Sequence, residues 1–582
     1  MSAHELITEH LDLWTQAVTK KSTAGRGRNG KVELTGIKKL RELILELALS
    51  GKLVEAEESD KPAHHLLSRI ELEKSRLAGE KVIKKPKKLE ATSGEEPYQI
   101  PSHWCWVCLG QVTNYGVTDK AEPNQVADNT WVLELEDIEK ESSKLLNKVR
   151  YTERQFKSSK NRFERGDVLY GKLRPYLDKV LVADEPGVCT TEIIPIRGYL
   201  GLLPEFLRLV LKSPSFRRYA NDSTHGMNLP RLGTDKARLA MIPLAPEQEQ
   251  HRIVQKVDEL MALCDRLEQQ TSDQLDAHET LVDTLLGSLT QSANTTELVD
   301  NWARFTEHFD TLFATEQSID KLKQTILQLA VMGRLVEQDA GDEPVDVLFS
   351  QIWTHQHDRY QLKEIQKPKQ IKVSDSLDIE PPLSWRKALL NDLAFVTKLA
   401  GFEYTKHLNL QDEGEVPVIR AQNVRSFKPD TSNLKYIDLD TSLQLQRSAI
   451  DRTCLLITFI GAGIGDVCTM AVGDDERWHL APNVAKVEPF GNINPRFINI
   501  FLCSPSGQKE LFKSVKSTAQ PSLSMTTIRE IWIPIPPLAE QHRIVQKVDE
   551  LTALCDHLKQ RLNQASNTRC QLAGAVVEGA LN

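Results

Sequence analysis

Phe459 to Gly463 read F-I-G-A-G, the F-x-G-x-G spacing with which a glycine loop lets backbone approach a cofactor such as S-adenosylmethionine. Such a loop works between a strand and a helix. Here DVCTMAV, a second strand-like run, follows, and the chain lacks the Asn-Pro-Pro-aromatic motif of adenine methyl transfer. The glycines therefore read as a tight turn in which positive φ is permitted. Cys105 and Cys108 form a C-x-x-C, but no second Cys or His pair stands at the spacing of a zinc site. The pair lies in the strand-like HWCWVCLG instead of a strand-to-helix turn, which argues against thiol redox chemistry. None of G-x-x-x-x-G-K-[ST], H-E-x-x-H or G-x-S-x-G occurs, and His225 and Asp178 read as ordinary polar residues. The expectation is a chain with no catalytic residue, no metal and no cofactor of its own.

Two further groups of charged and amide side chains are candidates for binding. Were duplex DNA the partner, its phosphates would need cations and its base edges paired donors or acceptors: Arg forks onto guanine, Gln or Asn bridges adenine. One candidate stretch, VRYTERQFKSSKNRFERGD, places Arg150, Arg154, Lys157, Lys160 and Arg162 together, with Lys172, Arg174 and Tyr176 at the turn that follows. STHGMNLPRLG adds Asn228 and Arg231. A second group offers Arg420, Gln422, Asn423 and Arg425 in VIRAQNVRSF, and Gln520 and Ser522 in a polar loop. The competing reading for each is a solvated charged face. Lys84, Lys85, Lys87 and Lys88 fall in a Pro-containing linker and read as solvating a joint.

The net charge of -8 opposes nucleic-acid binding only on average. Residues 98 to 246 hold 21 Lys and Arg against 18 Asp and Glu, and 380 to 538 hold 17 of each, so the acidity lies elsewhere. Hydrophobic residues are 40% and charged residues 26%, with no run near the ~18 to 20 apolar residues of a membrane helix. The first residues, MSAHELITEHLDLW, lack a signal-peptide pattern, which gives a cytoplasmic expectation with nine free cysteines and no membrane.

What positions these side chains is a tandem repeat. QHRIVQKVDELMALCD at 250–265 returns as QHRIVQKVDELTALCD at 541–556, 15 of 16 residues identical. IKKLRELILELALSGKLVE from Ile37 likewise matches IDKLKQTILQLAVMGRLVE from Ile319. Between these matched frames lie two dissimilar inserts in which β-branched runs alternate with Gly, Pro and Asn turns, the pattern of α+β domains. The frames are helical. Ile37, Leu40, Ile44 and Leu47 step at helical spacing before Gly51, as Ile319, Leu322, Ile326 and Leu329 do before Gly333. Ile253, Val257, Leu260, Cys264 and Leu267 form an a/d stripe repeated by Ile544, Val548, Leu551, Cys555 and Leu558. The stripes are expected to pair with each other in an antiparallel coiled coil, giving a pseudo-two-fold molecule. The alternative is that each packs on its own neighbouring domain.

Several passages resemble the specificity subunits of type I restriction-modification enzymes. MIPLAPEQEQHRIVQKVDEL and WIPIPPLAEQHRIVQKVDEL resemble the boundary where a recognition domain of that family passes into its conserved helix. PSHWCWVCLG and PLSWRKALLND resemble its Trp-containing domain start, GDVLYGKLRPYLDKV and LLITFIGAGIGDV its strand-turn-strand, and STAQPSLSMTTIREIWIP its polar loop. The corresponding STHGMNLPRLGTDKARLAMIP departs from that loop. The resemblance implies two target-recognition domains, each reading half of a split DNA sequence. It implies two methyltransferase subunits carrying S-adenosylmethionine and motor-nuclease subunits using ATP and Mg as partners. The expected order is a 1–36 extension, a 37–96 helical segment, a 97–246 recognition domain and a 247–318 helix with connector. The second copy follows as 319–378, 379–538 and 539–582. A protein-binding scaffold with two adaptor domains, or a self-sufficient S-adenosylmethionine-dependent methyltransferase, are the rival readings.

Overall fold

A computed structural model describes residues 3–20, 32–83, 96–225, 229–292, 295–367, 371, 377–399, 409–461, 463–473, 475–513 and 522–579. The chain divides into two compact units, Met1–Asp276 with Gln564–Asn582, and Ala277–Asn563. Each mixes helix and sheet.

In unit 1 the lead helix, Thr35–Leu49, buries Ile37, Leu40, Leu43, Ile44 and Leu47 on one face. Each such side chain contributes roughly 1.5–3 kcal/mol by leaving water. Gly51 ends it at φ +69, with the Lys52 N–H on the Leu47 carbonyl at 2.9 Å. Only glycine suits both the left-handed backbone and the space, because a Cβ there would stand 2.3 Å from Pro101 Cγ. Gly333 repeats this in unit 2 at φ +68, with 2.5 Å to Pro382 Cγ, after the lead helix Glu316–Val331.

The recognition segment of unit 1 opens with strand Cys105–Cys108, which pairs antiparallel with its closing strand Met241–Leu244. Between them lie a four-stranded sheet with one parallel pair, Trp131–Leu133 on Gly187–Cys189, and a three-stranded antiparallel sheet centred on Val168–Gly171. Two helices follow, Pro204–Lys212 and Pro214–Asp222, the second capped by Ser213. Unit 2 repeats the plan. Its opening strand Arg386–Leu389 pairs with its closing strand Trp532–Ile535, Val416–Ile419 runs parallel to Trp478–Leu480, and helices Pro495–Cys503 and Pro505–Phe512 follow.

The repeated Glu, Gln and Arg at the start of each long helix latch the segment shut. Trp104 Nε1 donates to Glu249 Oε2 at 3.0 Å, and Trp385 Nε1 to Glu540 Oε2 at 3.0 Å. Gln250 is fully buried, donating to the Ala245 carbonyl and accepting from Leu203 N, and Gln541 does the same with Pro536 and Asn494. Arg252 forks onto Asp60 and Arg543 onto Asp342. The buried Glu and Gln side chains, bonded in the same way in both units, specify one arrangement of strand ends on helix.

The a/d stripes find a partner other than the expected one. Ile253, Val257, Leu260 and Cys264, with Leu267 against them, share a core with Ile37, Leu40 and Ile44. Ile544, Val548 and Cys555, with Leu551 and Leu558, share a different core with Ile319, Leu322 and Ile326. In unit 2 Lys323 meets Asp556, and Lys559 meets Asp320 at 2.8 Å, so lead and long helices run antiparallel. Arg41 reaches Asp265 and Glu268 in unit 1. Pairing of stripe with stripe is thus replaced by pairing with the lead helix of the same unit, whose own apolar face needs cover.

Each long helix, Glu247–Gln291 and Leu538–Gly579, contributes residues to both units. In unit 1 residues 564–579 pack beside the N-terminal helix Leu11–Gln16. Ala573 and Val577 join the core of Trp14, and Ser566 Oγ donates to the Val18 carbonyl at 2.7 Å.

Candidate nucleic-acid interface

Antiparallel strands Val168–Gly171 and Val180–Val182 carry between them the turn with Lys172, Arg174 and Tyr176. That turn is bonded edge to edge with the loop before the closing strand. Leu173 bridges Arg231, Arg174 N donates to the Pro230 carbonyl at 2.7 Å, and Leu232 N to the Lys172 carbonyl at 3.1 Å. Arg174 is exposed and left-handed at φ +52, and Tyr176 is 50% exposed. Arg231 forks onto Glu192 at 3.0 and 3.2 Å, and that hydrogen bonding holds its pKa above the usual arginine value.

Unit 2 builds the same ledge from different residues. Ile460 bridges Ser522, and Leu523 N donates to the Phe459 carbonyl at 2.9 Å. Phe459, Ile460 and Gly461 thus stand where Lys172, Leu173 and Arg174 stand, and Ser522 where Arg231 does. Gly461 takes φ +113 at the position where Arg174 takes +52. The F-x-G-x-G segment therefore joins two antiparallel strands, Cys454–Thr458 and Val467–Met470, and no helix follows it directly. Sequence reasoning missed Lys398, whose Nζ lies 4.9 Å over the Phe459 ring from the end of Ala394–Lys398, a strand of the same sheet. A lone lysine closing a strand run carries no motif.

A tight turn after the parallel strand forms the second element. Arg420 N donates to Asn423 Oδ1 at 3.1 Å, while the buried Asn423 Nδ2 donates to the carbonyls of Asp430 and Asn433. This turn leaves Gln422 and Arg425 exposed, with Arg420 Nη2 on the Asn433 carbonyl at 2.9 Å. A Cβ on Gly463 would lie 3.9 Å from the Ala421 carbonyl, which places the turn beside the ledge. In unit 1 Glu134 N donates to Asp137 Oδ2 in the same way, and Glu136 occupies the place of Gln422. One position is thus acidic in one unit and amide in the other.

The basic stretch of unit 1 is largely paired within the chain. Arg154 forks onto the buried Asp137, with Nη2 to Oδ1 at 2.9 Å, and that bond raises its pKa. Lys160 is buried on Glu134 and over the Phe156 ring. Arg150 pairs with Glu185 at 2.6 Å, and Arg162 lies near Asp119 and the Gln125 carbonyl. Arg154, Lys160 and Asn423 hold the fold, because partly buried carboxylates and carbonyls within reach outcompete solvent. Lys157, Lys172, Gln422, Arg425 and Ser522 remain at the surface. Asn228 and Gln520 lie outside the described residues.

Cys105 and Cys108 sit on the opening strand, the latter buried with its Sγ 3.8 Å from Met241 Sδ. Burial pushes the Cys468 and Cys503 thiols up to about 12 and that of Cys264 up to about 11, away from thiolate chemistry. Among the described residues no group of three or more His, Cys, Asp or Glu is placed to hold a metal ion. Among them, too, no helix is long and apolar enough to cross a membrane.

Residues 382–567 match a family model described as the type I restriction modification DNA specificity domain. The chain is 34% identical to the type I restriction enzyme EcoAI specificity subunit of Escherichia coli, with 100% of both chains covered. It is 32% identical to the EcoEI specificity subunit of the same species, again over 100% of both. It also resembles a solved chain from work described as the structural basis underlying complex assembly and conformational transition of the type I R-M system. That match has a TM-score of 0.53 at 17% identity, covering 84% of this chain and 99% of that one, and shows a shared fold.

Proposed function

This chain belongs to the specificity subunits of type I restriction enzymes and serves DNA sequence recognition in such a system, and from that premise we propose that each unit reads one half of a split target. One observation carries the reading. Two inserts of unlike sequence place a hairpin turn and a pre-closing loop in one hydrogen-bonded ledge, with Arg174 and Tyr176 exposed on one and Ser522 on the other. The residues differ while the scaffold is kept, as two readers of different base sequences require.

In this reading Arg174, Arg425 and Gln422 reach base edges, while Lys157 and Lys172 neutralise phosphates. The long helices shared by both units set the unread spacer. The chain itself transfers nothing. Two methyltransferase subunits carrying S-adenosylmethionine, and motor subunits using ATP and Mg, would supply the chemistry in the cytoplasm. A methyl group would reach a base flipped from the stack.

The test is selection. The full chain, co-expressed with its methyltransferase partner, is used to capture duplexes from a random library at physiological salt. Two short motifs at fixed spacing are expected, and one continuous motif or no enrichment refutes the proposal.

A further inference from the structure

Among the non-glycine residues in a backbone conformation that suits glycine, two stand at matching places in the two units. Phe427 stands at φ +75 and Glu141 at φ +65. Non-glycine residues pay for such a conformation in strain, and surrounding contacts must hold them there. They occupy equivalent places, each four residues beyond its turn's capping side chain, Asn423 and Asp137.

The backbone of each is bonded in the same manner. Phe427 N donates to the Val467 carbonyl at 2.9 Å, on the second strand of the reading hairpin. Its own carbonyl accepts from Thr469 N at 3.2 Å and from Asn499 Nδ2 at 3.4 Å, the latter on helix Pro495–Cys503. Glu141 N donates to the Leu177 carbonyl at 2.9 Å, beside the reading turn, and its carbonyl accepts from Lys212 Nζ at 2.8 Å on helix Pro204–Lys212. Turn, hairpin and helix are therefore fastened at one residue in both units, although the two inserts differ in sequence.

The side chains explain why neither position is glycine. The Arg496 guanidinium lies 5.0 Å over the Phe427 ring and continues to Asp549 Oδ1 at 2.6 Å on the long helix. The Glu141 carboxylate meets Lys38 Nζ at 2.8 Å on the lead helix. In each unit the strained residue reaches from the reading elements to the helical frame.

We propose that Phe427 and Glu141 are positioning residues for sequence reading, fixing the direction in which Arg425 in unit 2 and Arg174 and Tyr176 in unit 1 are presented to a base pair. Arg425 lies in the chain between buried Asn423 and Phe427, two residues from each. Tyr176 and Arg174 lie just before Leu177, whose carbonyl Glu141 engages. The inference rests on the proposed DNA reading.

The test uses the full chain in complex with its methyltransferase partner and the same random duplex library. Phe427→Gly accepts the backbone but lacks the ring. It is expected to lower base selectivity in one half-site at least tenfold, to leave the other half unchanged, and to shift thermal stability little. Phe427→Tyr keeps the ring and is expected to restore selectivity. Glu141→Gly is expected to affect the opposite half only, and Glu141→Asn, which tolerates a left-handed backbone, to retain more of it than Glu141→Gly does. Unchanged selectivity in both glycine variants, or equal loss in both halves from either one, overturns the positioning role. Failure of the unsubstituted complex to enrich a two-part motif refutes the DNA reading instead.

Discussion

Glu46, on the buried face of the first lead helix, is 1% exposed, and burial raises its pKa to about 7 from an ordinary value of 4.5. Its Oε1 accepts from Ser215 N at 3.0 Å, while Oε2 is buried without a partner. The repeat supplies a control, because the equivalent Gln328 accepts from Ser506 N at 3.1 Å and donates to Ser506 Oγ at 2.8 Å. An acid whose folded pKa is raised binds its proton more tightly when folded. Stability is therefore intact below the unfolded value of 4.5 and is lost as pH climbs through about 7. A shift from 4.5 to about 7, at ~1.4 kcal/mol per unit, makes the loss about 3 kcal/mol at pH 8.5 and about 1 kcal/mol at pH 5. Glu46→Gln removes the titration. At roughly 2 °C per kcal/mol for a unit of this size, its melting temperature should exceed that of the unsubstituted chain by about 6 °C at pH 8.5 and about 2 °C at pH 5. Melts of both chains across that range provide the assay. A difference that stays constant with pH, or narrows as pH rises, refutes the argument.

Other perturbations separate latch, fold and surface. Trp385→Phe takes the donor from the buried Glu540 Oε2, leaving only Gln338 Nε2 at 3.4 Å on Oε1, and should cost about 1–3 kcal/mol in denaturant titration. Trp104→Phe should cost less, because His103 Nε2 stays 2.9 Å from Glu249. Arg154→Ala leaves the buried Asp137 charge without its cation, so a loss of ~3 kcal/mol is expected by the same titration, whereas Lys157→Ala should leave stability unchanged and reduce the salt dependence of DNA affinity. Gly333→Ala forces a Cβ to within 2.5 Å of Pro382 at positive φ and should destabilise by more than ~1 kcal/mol, read from the melting temperature.

The repeat was legible because identical residues recur with the same periodicity, and they mark the latch whose bonds recur in both units. Helical spacing showed which face of each long helix is apolar but not what covers it, since Ile37 and Ile544 are equally acceptable partners for Ile253 on period alone. The ledge was legible as two separate passages. Their hydrogen bonds join residues such as Arg174 and Pro230 that are far apart in the chain, and no local rule connects them. Counting cations did not show which of them are paired within the chain, because Arg154 finds Asp137 only after the turn has formed. The left-handed Phe427 and Glu141 had no residue-type cue, since positive φ is ordinarily inferred from Gly, Asn or Asp.

Ser566 bonds Val18 across 548 residues of chain, and Ala573 and Val577 cover the core around Trp14. During synthesis, at roughly 5–20 residues per second, the first unit would wait about 15 seconds to a minute after residue 276 for the segment that completes its core. Unit 2, Ala277–Asn563, is drawn wholly from residues made before 564. The order of completion is therefore the reverse of the order of translation, and the half that emerges first is the half that stays open to chaperones and proteases longest.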